Sequence, residues 1–176
     1  MVNWAQLRLQ DLAIVVSEHL HSRQIEVILV GGACVTIYSA NQYISGDLDF
    51  ITYDDMRRVK EALHEIGFER HKHRYFTRPD CPFFIEFVSP PIAIGNEPVR
   101  RFQTLETKQG TLRFLTPVDC VKDRLSAYFH WNDTESLEQA ILVARQQRLS
   151  LRGIRDWAVR EGQREKFEVF RDKLKH

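Results

Sequence analysis

One stretch constrains this chain more than any other: residues 28–52, ILVGGACVTIYSANQYISGDLDFIT. An apolar β-branched run, Glu26–Val30, reads as a buried strand. Gly31-Gly32 ends it, a short helix over 33–40 follows, and Asp47–Thr52 alternates polar and apolar as a half-buried strand does. Side chains two apart on a strand share a face, so Asp47 and Asp49 project together while Leu48 and Phe50 point into the core. Aspartate is disfavoured in strands. Two carboxylates this close repel, and one protonates unless something neutralises the pair. A divalent cation does so, and Mg²⁺ takes oxygen ligands, commonly one or two carboxylates plus substrate phosphates. Glycine admits close approach of a ligand to the backbone, and free N–H groups at a helix start hold phosphate. Taken alone, Gly-Gly is a tight turn and Asp-x-Asp an exposed strand start. Their order along one chain is what carries information.

Around this stretch, Leu9, Leu12, Val16 and Leu20 mark one face of a helix over about 4–22. Asp54 is the expected cap of a helix with the stripe Met56, Val59, Leu63 and Ile66, stopped by Gly67. Strand-like runs cover 69–77 and 83–88, and 89–98 reads as a proline-rich loop. Residues 99–106 and 111–115 form a hairpin pattern. At Thr116-Pro117-Val118-Asp119 the character changes. Thr as N-cap with Pro at the first helical position opens helices over roughly 117–130, 134–148, 151–161 and 163–174. The expectation is a mixed α/β (α+β) fold: a small mixed sheet flanked by helices over residues 1–115, which hold the catalytic groups, then a helical region over 116–176 packed on it.

Twenty-five Lys+Arg stand against 24 Asp+Glu, which excludes a polycationic nucleic-acid coat but allows a local basic groove. No apolar run reaches the roughly 20 residues of a membrane helix, so no membrane association is expected. The first residues, MVNWAQLRLQD, carry charges where a signal peptide has its apolar stretch, so a cytoplasmic location is expected. Cys34, Cys81 and Cys120 are widely spaced and read as reduced thiols.

Glu86 is a charge inside the apolar run Phe83–Val88. A buried carboxylate needs a partner. A metal shared with Asp47 and Asp49 is one answer; an arginine, or exposure on an edge strand, is another. The pairs His19/His21 and His71/His73 have too few neighbouring ligands for zinc. Arg70, Lys72 and Arg74 share one face of the 69–77 run, either guiding phosphates or protecting a solvated edge. Tyr128, Phe129 and Trp131 read first as packing residues.

The order of apolar strand, Gly-Gly, short helix and Asp-x-Asp resembles the polymerase-β-type nucleotidyltransferase superfamily. With GGA and a long spacer before GDLDF, it looks most like the AbiEii-type toxin nucleotidyltransferases and related small bacterial proteins, and it is also similar to small antibiotic nucleotidyltransferases. The resemblance covers roughly residues 25–145 and includes TPVDCVKDRLSAYFHWND, similar to the helix these families place after the sheet. It implies that Gly31 and Gly32 bind the nucleoside triphosphate and that Asp47 and Asp49 bind Mg²⁺, with Glu86 as third acid and metal ligand. Lys122 or Arg124, by register Arg124, offers positive charge to the phosphates. Two departures stand out: relatives often carry a hydroxyl residue where Gly32 stands, and only Asp133 remains of a paired-Asp motif.

The implied activity is Mg²⁺-dependent transfer of a nucleoside monophosphate from an NTP to an acceptor hydroxyl of tRNA, protein or a small molecule. The resemblance also implies a place in a toxin–antitoxin pair with an antitoxin protein as partner. The alternatives are a non-catalytic nucleotide- or protein-binding module of the same fold, and a metal-dependent nuclease, which the Gly-Gly turn disfavours.

Overall fold

A computed structural model describes residues 2–71 and 75–175. A 3-10 turn (Trp4–Gln6) leads into α1 (Leu9–Ser22). Then come β1 (Ile28–Val30), α2 (Gly32–Tyr38), β2 (Asp47–Ile51) and α3 (Met56–Glu65). β3 (Glu69–His71), β4 (Tyr75–Thr77), β5 (Phe84–Val88), β6 (Ala93–Ile94) and β7 (Glu97–Pro98) follow. β8 (Phe102–Thr107), β9 (Gly110–Leu115), α4 (Pro117–Trp131), α5 (Thr134–Gln146), α6 (Arg152–Arg160) and α7 (Arg164–Lys175) complete the chain.

Seven strands form one mixed sheet in the order β3-β4-β5-β2-β1-β9-β8. The central pair β1 and β2 is antiparallel, β2 and β5 are parallel, and so are β1 and β9. One face of the centre is wholly apolar: Leu29, Leu48, Phe50 and Ile85 are fully buried. They join α1, whose buried Leu12, Val16 and Leu20 recur at helical spacing, in a continuous core. The opposite face carries the period-two partners Asp47, Asp49, Glu86, Phe84 and Tyr75.

The 69–77 run is two strands, not one. Glu69, Arg70 and His71 fold back antiparallel on Tyr75–Thr77, so that exposed polar residues form the sheet edge and Phe76 is buried behind them. Lys72, His73 and Arg74 lie outside the described residues. The cap of α3 is Asp55, whose carboxylate accepts from the Arg57 amide at 2.8 Å. Asp54 instead binds Arg58 at 2.5 Å and takes the Glu26 amide. The expected cap at Thr116 is present: its hydroxyl oxygen accepts the Asp119 amide at 3.1 Å, with Pro117 in the first turn.

The stretch 89–98 is more ordered than a loop. β6 and β7 make a small hairpin turning at Gly95-Asn96, because Ile92 and Ile94 find a core to enter. Trp157 of α6 donates its indole N–H to the Ile94 carbonyl at 3.4 Å. The Glu97 carboxylate receives Lys122 Nζ and an Arg160 nitrogen, each at 2.6 Å. Glu161 accepts from the Asn96 amide at 2.9 Å. Helix α4 and helix α6 with its C-terminal Glu161 thus grip the hairpin that overhangs the polar face. Phe129 stacks on Trp157 at 5.6 Å, as packing residues do, but Trp131 is 82% exposed and packs on nothing substantial.

Lys122 is almost fully buried, and removing Glu97 leaves it only Asp119, at 4.0 Å, as an acidic partner. Glu97→Ala is therefore expected to lower stability by about 1–3 kcal/mol in urea unfolding. Glu97→Ala/Lys122→Met recovers most of that loss.

Candidate active site

The parallel pairing of β2 with β5 sets the site. Its register places Asp49 opposite Glu86 and Asp47 opposite Phe84. The carboxylates of Asp47, Asp49 and Glu86 consequently converge, with ligand oxygens all within 4.8 Å of one another. The two aspartates share one face as their spacing predicts, and the fold brings Glu86 to the same cluster as the resemblance implies.

This crowding has an electrostatic signature. The Asp49 carboxyl is pushed up to about 7, first by burial and then by the negative charges of Asp47 and Glu86, against the opposing pull of Arg124. Oxygen donors at this spacing, with one acid kept from ionising by burial and then by its like-charged neighbours, fit a Mg²⁺ site of one or two ions.

Gly31 is required twice over. Its φ is +69°, a conformation that L side chains rarely adopt, and a Cβ there would lie 2.3 Å from Asp49 Oδ2. The turn therefore lets Asp49 lie directly against the backbone. Gly32 begins α2, and a Cβ on it would lie 2.9 Å from the Ser45 hydroxyl.

Beside Asp49 opens a cavity of about 280 Å³. Gly31, Asp49, Asp123 and Arg124 line it on the polar side, and Ile51, Val88 and Ile94 on the apolar side. Arg124 is thus in the site. Its guanidinium donates to Asp123 Oδ2 at 2.6 Å and reaches Gln139 Oε1 at 3.5 Å. Burial opposes its charge, but Asp123 outweighs that and holds the guanidinium firmly protonated. Lys122 is not in this cavity: it points from α4 to Glu97, under the hairpin. Asp123 and Ser45 are site residues that sequence reasoning passed over. The available signal for Ser45 was its position two residues before Asp47.

Cys34 is buried beside the site, with its thiol donating to the Leu29 carbonyl at 3.3 Å and its acidity suppressed by burial. It is an inert packing residue, and all three cysteines are free thiols.

No protein-family model matches the chain. No curated protein matches it in sequence. Solved structures do match in shape. An antigenic nucleotidyltransferase-like protein from Paracoccidioides brasiliensis superposes with a TM-score of 0.59 at 14% identity, over 78% of this chain and 76% of that one. The chain has a nucleotidyltransferase-type fold. The antibiotic-resistance factor ANT(2'')-Ia superposes with a TM-score of 0.51 at 12% identity, over 92% of both chains. No helix among the described residues is long and apolar enough to cross a membrane.

Two outcomes follow for the free protein. An acid whose pKa is raised on folding binds more protons folded than unfolded between about pH 4 and 7. Its cost to stability therefore grows across that window and is fully present above it. Asp49→Asn should stabilise the metal-free protein by about 2–4 kcal/mol at pH 8, with the gain vanishing near pH 4, as thermal unfolding at both pH values reads. Gly31→Ala should destabilise by roughly 1–3 kcal/mol from the φ alone, read by urea unfolding.

Proposed function

We propose that this protein is a Mg²⁺-dependent nucleotidyltransferase that moves a nucleoside monophosphate from an NTP to an acceptor hydroxyl. The observation that carries this reading is the convergence of Asp47, Asp49 and Glu86 beside a glycine turn that a Cβ would close. The nucleotidyltransferase-type fold supports it.

In this reading residues 1–115 carry the catalytic groups, and 116–176 form the helical region that supplies Arg124. Asp47 and Asp49, with Glu86, hold the metal. When bound, Mg²⁺ neutralises charge on the phosphates and favours the ionised acceptor hydroxyl. The remaining work falls to the chain. The Gly31-Gly32 backbone leaves room for the triphosphate against Asp49, and Arg124 at the cavity rim offers it positive charge. Lys122, engaged with Glu97, holds the hairpin instead. Glu86 accepts the hydroxyl proton as the acceptor oxygen bonds to the α-phosphorus and the bond to pyrophosphate breaks. Catalysis is thus positioning and electrostatics, without a covalent enzyme intermediate.

The acceptor approaches from the Glu86 side. There Tyr75, paired across the ladder with Glu86, meets Phe84 edge to face at 5.1 Å. This half-buried aromatic wall offers an apolar edge to a compact ring-bearing acceptor. A small ring-bearing molecule is therefore the acceptor class to try first. Nothing in the geometry speaks for a toxin role or an antitoxin partner, and both stay attached to the sequence resemblance alone.

The test is transfer from α-labelled NTPs in the presence of Mg²⁺ to panels of small hydroxyl compounds and tRNA, with pyrophosphate release followed in parallel. Wild type is expected to release pyrophosphate and label an acceptor. Asp49→Asn and Glu86→Gln, both folded, should lose at least about 10²–10³ in rate. NTP binding by a wild type that transfers to none of these acceptors, unchanged in Asp49→Asn, would favour the non-catalytic module.

A further inference from the structure

The Ser45 hydroxyl donates to Asp47 Oδ1 at 2.8 Å. Ser45 is 4% exposed, so this hydroxyl is a built feature of the interior and not a surface contact. It is anchored from behind. The Ser45 amide donates to Thr36 Oγ1 at 3.0 Å, and the Thr36 hydroxyl donates to the Gly32 carbonyl at 3.3 Å. Thr36 is fully buried on α2. A polar chain therefore runs from the glycine turn through Thr36 and Ser45 to the first carboxylate.

We propose that Ser45 is a positioning residue that orients Asp47 toward a divalent cation, and that Thr36 holds Ser45 in register with the Gly31-Gly32 turn. This rests on the reading of the three carboxylates as a metal site. An aspartate turns about two side-chain bonds, and like charges nearby push it away from the cluster. A hydrogen bond to Oδ1 restrains the rotation of the carboxylate and leaves Oδ2 to serve as a ligand. Partners of this kind, which bind a ligand group rather than the metal, are worth about 10–100-fold in metal affinity. The arrangement also accounts for glycine at position 32: a Cβ there would lie 2.9 Å from Ser45 Oγ and 3.5 Å from the Tyr43 hydroxyl. A side chain at 32 would compete for the space that the Ser45 hydroxyl occupies. The turn thus receives its hydroxyl from across the site and not from its own second residue.

The experiment is thermal unfolding of the full chain across a Mn²⁺ and a Mg²⁺ titration, for wild type, Ser45→Ala, Thr36→Val and Asp49→Asn. Wild type should rise in midpoint as metal is added. In Ser45→Ala the metal concentration at which that rise sets in should increase by about 10–100-fold. Thr36→Val, which loosens the same chain from its other end, should shift it several-fold in the same direction and decides the matter if Ser45→Ala does not fold. Midpoints lowered equally with and without metal, with the rise setting in at an unchanged metal concentration, would overturn the positioning role and leave the metal site standing. A wild type with no metal-dependent rise, indistinguishable from Asp49→Asn, would overturn the metal site and this proposal with it.

Discussion

The parallel pairing of β2 with β5 is the constraint on which the rest of the site depends. It sets Asp49 opposite Glu86 and so forces three carboxylates within 4.8 Å on one face of the sheet. The pairing is secured on the other face, where Leu48, Phe50 and Ile85 are fully buried. Hydrophobic burial there stabilises an arrangement that electrostatics alone would disperse. The same period-two alternation that gives the core its apolar layer gives the site its charge. A one-residue slip would exchange the two, so the core protects the register of the site.

The second dependence is between the helices and the cavity. Trp157, Lys122, Arg160 and Glu161 all reach the β6–β7 hairpin, and that hairpin contributes Ile94 to the cavity beside Asp49. α4 plays two roles on opposite sides. Lys122 fastens the hairpin, while Arg124 faces the carboxylates in the grip of Asp123. Two positions along a helix turn the side chain through about 200°, so these two basic residues point to opposite sides of α4. The helical region is thereby part of the site's construction.

Much of this was legible in the sequence. The Gly-Gly turn, the shared face of Asp47 and Asp49, and the capped start of α4 follow from local rules, and each is present. Glu86 was recognisable as a buried charge in need of company. A site shared with Asp47 and Asp49 was one of two readings from the residues and the one that the resemblance implied; the residues alone could not decide, because β2 and β5 are joined through α3, β3 and β4, and no local pattern fixes a register across such a connection. The choice of Arg124 over Lys122 depended on helix register and came out on the side of the cavity. The β6–β7 hairpin was missed because its four strand residues are held by contacts from α4 and α6, far along the chain. The fold of 69–77 onto itself, and the exposure of Trp131, likewise depend on what lies nearby in space and not in sequence.

In the proposed function these three carboxylates are kept together to hold a divalent cation. Electron paramagnetic resonance of Mn²⁺ tests it most directly, since only free ion gives the strong six-line signal. Wild type added to limiting Mn²⁺ should reduce that signal in a saturable way, and the Asp47→Asn/Asp49→Asn variant should leave it unchanged. A signal that wild type does not reduce, or that both proteins reduce equally, would contradict the account.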